Sequence, residues 1–322
     1  MRVLLTGATG LLGNNVLEVL LSAGHQVVAL VRNPKGVKVD FSRYDGECNI
    51  AEGDVTDFET LRGAAQGCDA IINCAGDTDM SHRHREDYYP VNRDLCAALL
   101  RAAEAGNVTT LVHVSTANTI GYKGRNGLAC EDEPMQPPFA KSYYAQSKLE
   151  GERLLLSSDS NVRVVIINPG FIIGRYDAKP SSGRLLLVGW KKRLLFIPRG
   201  GKSFVGARTV AEAAVAALSK GRGGERYLAT GENLTFRQLY EIEASIGGYK
   251  QRVVAIPVAL CKAAGLLGDL LHRCGLAVSF TSRNIDQLLV CESYCNRKMC
   301  DELGVKPQPV SDAVKDFIDY SM

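Results

Sequence analysis

Three glycines near the amino terminus, Gly7, Gly10 and Gly13, constrain the fold of this chain more than any other feature. They separate an apolar strand pattern at 2–5 from an apolar helical pattern at 11–23. In such a turn the first glycine permits a sharp bend, the second lets the backbone approach a pyrophosphate, and the third lets the helix pack closely on the sheet. A tight turn without a ligand is the simpler alternative. The spacing predicts a dinucleotide site formed by Gly7, Thr9, Gly10, Leu11, Leu12 and Gly13.

Short apolar strand patterns alternate with helical patterns through the first half of the chain. After the first strand, further strands are predicted at 26–31, 49–52, 70–74, 110–114 and 163–168, with helices at about 57–65, 86–106 and 142–157. This alternation is typical of a parallel sheet covered by helices on both faces. The predicted fold class is therefore α/β, a Rossmann-type doubly wound parallel sheet, in which ligands lie beyond the carboxyl ends of the strands.

The alternation stops after Gly174, which predicts a second unit. Residues 1–174 are expected to form the dinucleotide-binding domain, to which residues 204–231 return. Residues 175–203 and 232–322 are expected to form a smaller, mostly helical substrate-binding domain.

Within this second unit, the leucine-rich stretch Val258–Leu271 predicts a helix. Its leucines either wall an apolar pocket or, as the simpler interpretation, pack in the core between the two domains. The stretch is interrupted by Pro257, Lys262 and Asp269, so it does not have the composition of a membrane span.

Composition excludes several classes of protein. A net charge of +3 is too small to indicate nucleic acid or an anionic membrane as a partner, and no apolar stretch is long enough to predict membrane insertion. Ten cysteines are scattered through the α/β pattern, which favours reduced thiols and a cytoplasmic location. The spacing of Cys291, Cys295 and Cys300 is not that of a zinc site, so no metal is predicted.

The residues after the second and third strands indicate which dinucleotide is bound. The second strand leads into Val31 and Arg32, where a carboxylate would accept the ribose hydroxyls of NAD. Arg32 could instead hold a 2′-phosphate, which favours NADP(H) over NAD(H); an ordinary solvated arginine is the alternative. Asp54 and Val55 are predicted to lie at the adenine, unless Asp54 only caps the following helix.

Tyr144 and Lys148 are four residues apart in a helical pattern, so both side chains lie on one helix face. An ammonium beside a phenol favours the phenolate and lowers the pKa of the tyrosine, which could then exchange a proton with a carbonyl or alcohol oxygen. The fifth strand ends at Ser115 and Thr116, whose hydroxyls are expected at the same edge of the sheet. A surface pair is the alternative for the tyrosine and lysine.

These motifs together resemble the extended short-chain dehydrogenases/reductases over nearly the whole chain. The resemblance rests on 6–13, Gly53-Asp54-Val55, Asn73-Cys74-Ala75-Gly76, Val91-Asn92, 114–117, 144–148, Pro169-Gly170 and the closing segment 301–307. It implies a catalytic Ser/Thr–Tyr–Lys group. We assign its hydroxyl to Thr116, five positions before Gly121, with Ser115 as the alternative.

The resemblance also implies roles for the remaining residues. Tyr144 protonates the substrate oxygen, Thr116 donates a hydrogen bond to it, and Lys148 tunes Tyr144 and holds the nicotinamide ribose. Asn92 steadies the neighbouring helix or relays protons. Further contacts to the cofactor are implied for Cys74, Ala75, Gly76, Asn92, Pro169 and Ile172. Family members often form homodimers through the helices at about 86–106 and 142–157.

Two departures indicate a branch of that family. Phe171 stands where nucleotide-sugar epimerases and dehydratases usually carry an asparagine, and Pro169-Gly170 is similar to the dihydroflavonol-reductase-like and hydroxysteroid-dehydrogenase-like branches. Arg208 and Thr209 replace one or two usual aspartates, with an effect the sequence does not define.

The predicted function is therefore an NADP-dependent oxidoreductase that acts on a carbonyl or alcohol of a small, fairly apolar substrate. The alternatives are an epimerase or dehydratase that recycles its nicotinamide, and a non-catalytic dinucleotide sensor.

Overall fold

The computed structural model describes residues 1–44, 46–124, 127–177, 182–276 and 278–322. Seven strands form the central sheet in the order β10-β6-β5-β4-β1-β2-β3, and all neighbouring pairs are parallel. The strands are β1 (Arg2–Thr6), β2 (Gln26–Val31), β3 (Cys48–Glu52), β4 (Ala70–Asn73), β5 (Thr110–Val114), β6 (Arg163–Pro169) and β10 (Glu225–Ala229). The predicted doubly wound parallel sheet is confirmed.

Helices cover both faces of this sheet. One face carries α1 (Leu11–Ser22) and α6 (Ala207–Lys220), which pack on each other; the other carries α2 (Phe58–Ala65), α3 (Leu95–Ala105) and α4 (Tyr143–Leu156). Because successive strand side chains point to opposite faces, Val3 and Leu5 pack under α1 while Leu4 packs with α2 and α3. Each such buried side chain stabilises the fold by roughly 1.5–3 kcal/mol.

The helix expected over 86–106 is split in the structure. A 3₁₀ turn at Arg85–Tyr88 and a π-helical turn at Pro90–Asp94 precede α3. Pro90 has no backbone N–H, so it cannot continue the hydrogen-bond ladder of a regular helix. The wide turn places Asn92, which is fully buried, toward the carboxyl ends of the strands.

The second unit is mostly helical but also contains two small sheets. Its strands are β7 (Phe171–Ile173), β8 (Leu194–Ile197), β9 (Gly201–Gly206), β11 (Glu232–Thr235) and β12 (Arg252–Ala255), paired as β11-β9-β7 and β12-β8. Its helices are α5 (Arg184–Gly189), α7 (Phe236–Gly247), α8 (Val258–Arg273), α9 (Ser282–Leu289) and α10 (Val310–Ser321). A separate core that includes Phe204, Tyr240 and Phe317 holds it together.

The predicted helix over Val258–Leu271 forms as α8, but the expectation that its leucines pack in the core between the two domains is wrong. Leu260, Leu266, Leu267 and Leu270 are 61%, 66%, 54% and 57% exposed. They lie outside the core because α8 turns its small residues inward instead. In the part of the chain that the structure describes, no helix is both long and apolar enough to cross a membrane.

Candidate active site

The glycine turn between β1 and α1 is built as its spacing predicts. Gly7 has a φ of +72°, and a Cβ there would lie 2.5 Å from the backbone nitrogen of Ala75. A Cβ on Gly13 would collide with the carbonyl oxygen of Gly7. These two glycines are therefore required by the fold itself.

Gly10 differs from its two neighbours in the turn. A Cβ at this position would meet only the Gly7 carbonyl oxygen, at an ordinary contact distance of 3.5 Å. Gly10 and Thr9 are exposed, α1 has no side-chain cap, and its first turn carries no acidic residue. The N–H groups of Leu11 and Leu12 thus remain at an open, positively polarised helix end, which fits a pyrophosphate.

Arg32 and Asp54 lie next to each other at the carboxyl ends of β2 and β3. Arg32 is exposed, and its charge contributes to holding the pKa of Asp54 below its usual range; hydrogen bonds from Thr56 contribute more. Asp54 Oδ1 accepts the Thr56 N–H at 2.9 Å, while Asp57 caps α2 by accepting the Thr60 N–H. Asp54 therefore shapes a turn and does not cap the helix. Val55 is half-buried beside it, against the core under α2.

Tyr144 and Thr116 come together where β5 ends beside the start of α4. Ser142 caps α4 by accepting the Ala145 N–H, which places Tyr144 in the first helical turn. Its phenol lies beside the Thr116 side chain, whose hydroxyl lowers the pKa of the phenol. Lys148 lies one turn further along α4 and is 2% exposed. The structure thus brings all three proposed catalytic residues to one edge of the sheet.

The ionisation of Tyr144 differs from the sequence-based expectation. Burial raises its pKa to about 12; the Thr116 hydroxyl opposes this rise, and the nearby carboxylates of Asp77 and Glu152 add to it. The Nζ of Lys148 donates to the carbonyl oxygen of Val114 at 2.8 Å. In the protein chain alone, Tyr144 is therefore a protonated phenol.

Ser115, the alternative to Thr116, has a different partner. Its Oγ donates to Glu152 Oε1, which also accepts from Asn168 Nδ2 at 2.8 Å. Burial raises the pKa of Glu152, and these hydrogen bonds together with the charge of Arg226 oppose the rise. Glu152 was missed in the sequence, although its spacing of four from Lys148 puts it on the same face of α4 as Tyr144.

Lys148 contacts a connected series of polar groups. The sequence analysis did not predict that these groups contact one another. Its Nζ lies 3.3 Å from His113 Nε2, and His113 Nδ1 lies 2.9 Å from Asn73 Nδ2. Asn73 Oδ1 accepts from Thr6 Oγ1. Burial, followed by the charge of Lys148, holds the pKa of His113 far below its usual value, so the imidazole is neutral. The sequence feature that could have revealed this chain of contacts was His113, a histidine inside the apolar run of β5.

Asn92 connects the loop after β4 to α4. Its Oδ1 accepts the Asp77 N–H at 2.8 Å, and its Nδ2 donates to the Asp77 carbonyl and to Ser147 Oγ. All of its polar atoms are therefore used within the protein. A Cβ on Gly76 would lie 3.7 Å from Asn92 Oδ1 and 3.9 Å from Lys148 Nζ, so Gly76 lies next to both polar groups.

The remaining predicted cofactor contacts follow β4 and β6. Ala75 follows β4, and its N–H donates to Asn73 Oδ1 at 3.1 Å. Burial raises the pKa of the Cys74 thiol to about 12, so Cys74 keeps its thiol proton at neutral pH. Pro169 ends β6 and Ile172 lies in β7, at the same edge of the sheet as Thr116.

The second unit contributes residues that the sequence analysis did not find. Arg283 of α9 lies 3.6 Å over the ring of Tyr143, and Asn284 Nδ2 donates to the Met80 carbonyl at 3.1 Å. On the other side, the ring of Tyr88 lies 6.2 Å from that of Tyr144. These contacts join α9 to the loop beside the tyrosine and so border the substrate side of the site.

Comparisons of the sequence and the fold with those of known proteins identify the family. Residues 3–229 match the model of the NAD dependent epimerase/dehydratase family. Sterol demethylase protein B of Methylococcus capsulatus is 31% identical over 276 residues, covering 85% of this chain and 83% of its own length. A putative dihydroflavonol 4-reductase of Synechocystis sp. is 27% identical, covering 98% and 93%.

A solved structure, that of gox2253, superposes with a TM-score of 0.83 at 26% identity, covering 99% of this chain and 97% of the other. The prediction that the chain is a nicotinamide-dependent enzyme of this superfamily is confirmed. The chain belongs to the NAD dependent epimerase/dehydratase family and is an extended short-chain dehydrogenase/reductase.

Proposed function

We propose that this protein is an NADP-dependent oxidoreductase that reduces the carbonyl group of a small, fairly apolar substrate, or oxidises the corresponding alcohol. The observation that carries the proposal is the juxtaposition of Tyr144 and Thr116 at the end of β5, with Lys148 one helical turn away. A phenol that stays protonated at neutral pH suits the role of proton donor to a carbonyl oxygen.

The proposed roles follow from these positions. Tyr144 donates its proton to the substrate oxygen, and the Thr116 hydroxyl donates a hydrogen bond to that oxygen as negative charge develops on it. Lys148, next to Gly76, holds the ribose of the nicotinamide. When bound, the reduced nicotinamide supplies the hydride. The open end of α1 holds the pyrophosphate.

Two features support NADP(H) and a reductase. Arg32 is exposed at the end of β2, where Val31 is buried and no carboxylate precedes Pro34, so a 2′-phosphate would meet a cation. Phe171 packs edge-on against Phe204 with ring centroids 5.4 Å apart, so its position offers no polar group to a sugar nucleotide. The relative named as a dihydroflavonol 4-reductase supports the same class. A homodimer through α3 and α4 is part of the proposal.

Replacing Tyr144 by Phe tests the function. We expect kcat for NADPH-dependent reduction of aldehydes and ketones to fall by roughly 10²–10⁴, because the proton donor is lost. The affinity for NADPH, measured by its fluorescence, should stay within a factor of about two, because the phenol lies on the substrate side. Tyr143→Phe is the matched control, and its turnover should be nearly unchanged. Near-normal turnover of Tyr144→Phe would refute the assignment.

A further inference from the structure

Helix α8 faces solvent with its most apolar side. At 100° per residue, the side chains opposite the buried face are mostly apolar. They include Ala259, Leu260, Ala263, Leu266, Leu267 and Leu270, and every one of these six is exposed. Two charged side chains, Lys262 and Arg273, are also exposed and lie along one edge of this outer face.

The inner face of α8 explains why the leucines lie outside. Its buried residues are Cys261, Gly265 and Gly268. A Cβ on Gly265 would come within 2.8 Å of Ser282 Cα, and one on Gly268 would collide with the carbonyl oxygen of Phe280. The helix is thus packed closely through its glycines onto the segment that leads into α9. No rotation about its axis could bury the leucines without separating these backbones.

An exposed apolar face of this extent is unusual for a soluble surface and marks an interaction site. Its surroundings are basic. Lys262 and Arg273 flank the outer face on α8 itself, and Arg252 of β12 and the run Lys191–Arg193 are exposed in the same unit. The acidic residue of α8, Asp269, turns toward the protein and accepts the Ser282 N–H at 3.0 Å.

We propose that the outer face of α8 docks onto the surface of a bilayer that contains anionic phospholipids. The leucines enter the boundary between headgroups and acyl chains, and the flanking lysine and arginines contact the phosphates. The sixteen residues of α8 span roughly 24 Å, less than the ~30 Å of a hydrocarbon core, so the helix lies on the membrane rather than across it.

Charge favours lipid over a second copy of the chain. In a two-fold symmetric interface the same patch contacts itself, so Lys262 and Arg273 of one copy would border the same cations of the other. An anionic surface removes this repulsion and adds an attraction that salt weakens. The aliphatic face also needs no hydrogen-bonding partner.

The position of α8 connects docking to the site. Gly265 and Gly268 pack on the segment before α9, and α9 carries Arg283 over Tyr143 and Asn284 against Met80. A docked α8 brings the substrate side of the site near the lipid surface, where an apolar substrate is concentrated. This last consequence rests on the proposed function; the docking itself does not.

Flotation of the full chain with vesicles tests the proposal. We expect the wild type to float with vesicles of equal parts phosphatidylcholine and phosphatidylglycerol, more weakly with pure phosphatidylcholine, and less at high salt. The double variant Leu266→Asp/Leu270→Asp should lose roughly a hundredfold in partition coefficient, because two leucines no longer enter the lipid. Lys262→Gln/Arg273→Gln should reduce binding to anionic vesicles toward the level on neutral ones.

The matched control is Leu128→Asp/Val188→Asp, which adds the same charge at apolar residues that are 50% and 53% exposed elsewhere. It should bind vesicles like the wild type, and all three double variants should bind NADPH normally. Failure of the wild type to float would overturn the proposal. So would a dimer, seen by sedimentation velocity, that Leu266→Asp/Leu270→Asp converts to monomer. Vesicle binding without any reductase activity would overturn the proposed function and leave docking intact.

Discussion

At the scale of single residues, the site depends on which partner each side chain has. Thr116 and Ser115 are adjacent hydroxyls at the end of β5, yet one lies beside Tyr144 and the other donates to Glu152. Sequence spacing favoured Thr116 but could not exclude Ser115. The buried carboxylate supports the proposal of Thr116, because Ser115 already donates its hydroxyl proton to Glu152.

Arg32→Gln should change the choice of cofactor. We expect the Kd for NADPH to rise roughly tenfold to a hundredfold while that for NADH changes little, since a charge-assisted hydrogen bond to the 2′-phosphate is lost. Fluorescence titration with both cofactors measures this. Arg43→Gln is the control, because Arg43 is exposed in the same loop region and pairs with Asp40 at 3.1 Å. Equal binding of NADPH and NADH by the wild type would contradict the prediction.

The ionisation of Tyr144 can be measured directly in the protein without cofactor. Its raised pKa of about 12 means that the phenol keeps its proton through neutral and mildly alkaline pH. The difference in tyrosinate absorbance between wild type and Tyr144→Phe should therefore be flat through neutrality and develop only at strongly alkaline pH. A difference that titrates near pH ~7 would show that burial is not the dominant influence.

At the scale of elements, the turn between β1 and α1 contains one glycine that the fold requires, Gly13, and one that we expect only cofactor binding to require, Gly10. Gly13→Ala forces a Cβ into the Gly7 carbonyl and should destabilise the protein by about 1–3 kcal/mol. Gly10→Ala meets only an ordinary contact and should leave the urea midpoint nearly unchanged. Both variants should bind NADPH poorly, Gly10→Ala because its methyl group fills the place of the pyrophosphate. Normal binding by Gly10→Ala would contradict the phosphate assignment.

The substitution of the usual aspartates by Arg208 and Thr209 also has a role at the level of elements. Arg208 pairs with Glu212 at 2.8 Å on the surface of α6. Thr209 is fully buried, and its Oγ1 accepts the Gln308 N–H at 3.2 Å. Thr209 therefore attaches the segment before α10 to α6, a docking contact between the chain's end and the large unit.

At the scale of the whole molecule, α9 links the two units across the substrate side of the site. Arg283→Ala removes the cation from the Tyr143 ring and should raise KM severalfold with kcat nearly unchanged, because α9 is held less firmly against α4 beside Tyr144. Steady-state kinetics measure both constants. Arg237→Ala, on the exposed side of α7, removes the same charge as a control. A decrease in kcat with KM unchanged would contradict this prediction, because Arg283 would then act in the chemical step itself.

The sequence by itself determined the parallel sheet, the glycine turn and the helix that carries Tyr144 and Lys148. These features depend on local spacing and on alternation, which are readable along the chain. The tertiary structure alone decided the contacts made across the sheet. Glu152 meets Ser115, His113 meets Lys148, and α9 of the second unit reaches Tyr143.

The leucines of α8 show most clearly why some features could be recognised only in the tertiary structure. Their spacing predicts a helix with an apolar face, but hydrophobicity does not say which face the protein covers. Gly265 and Gly268 decide this, because only residues without a side chain permit the close approach of the segment before α9. The sequence specified a helix, and the packing of backbone against backbone turned its leucines outward.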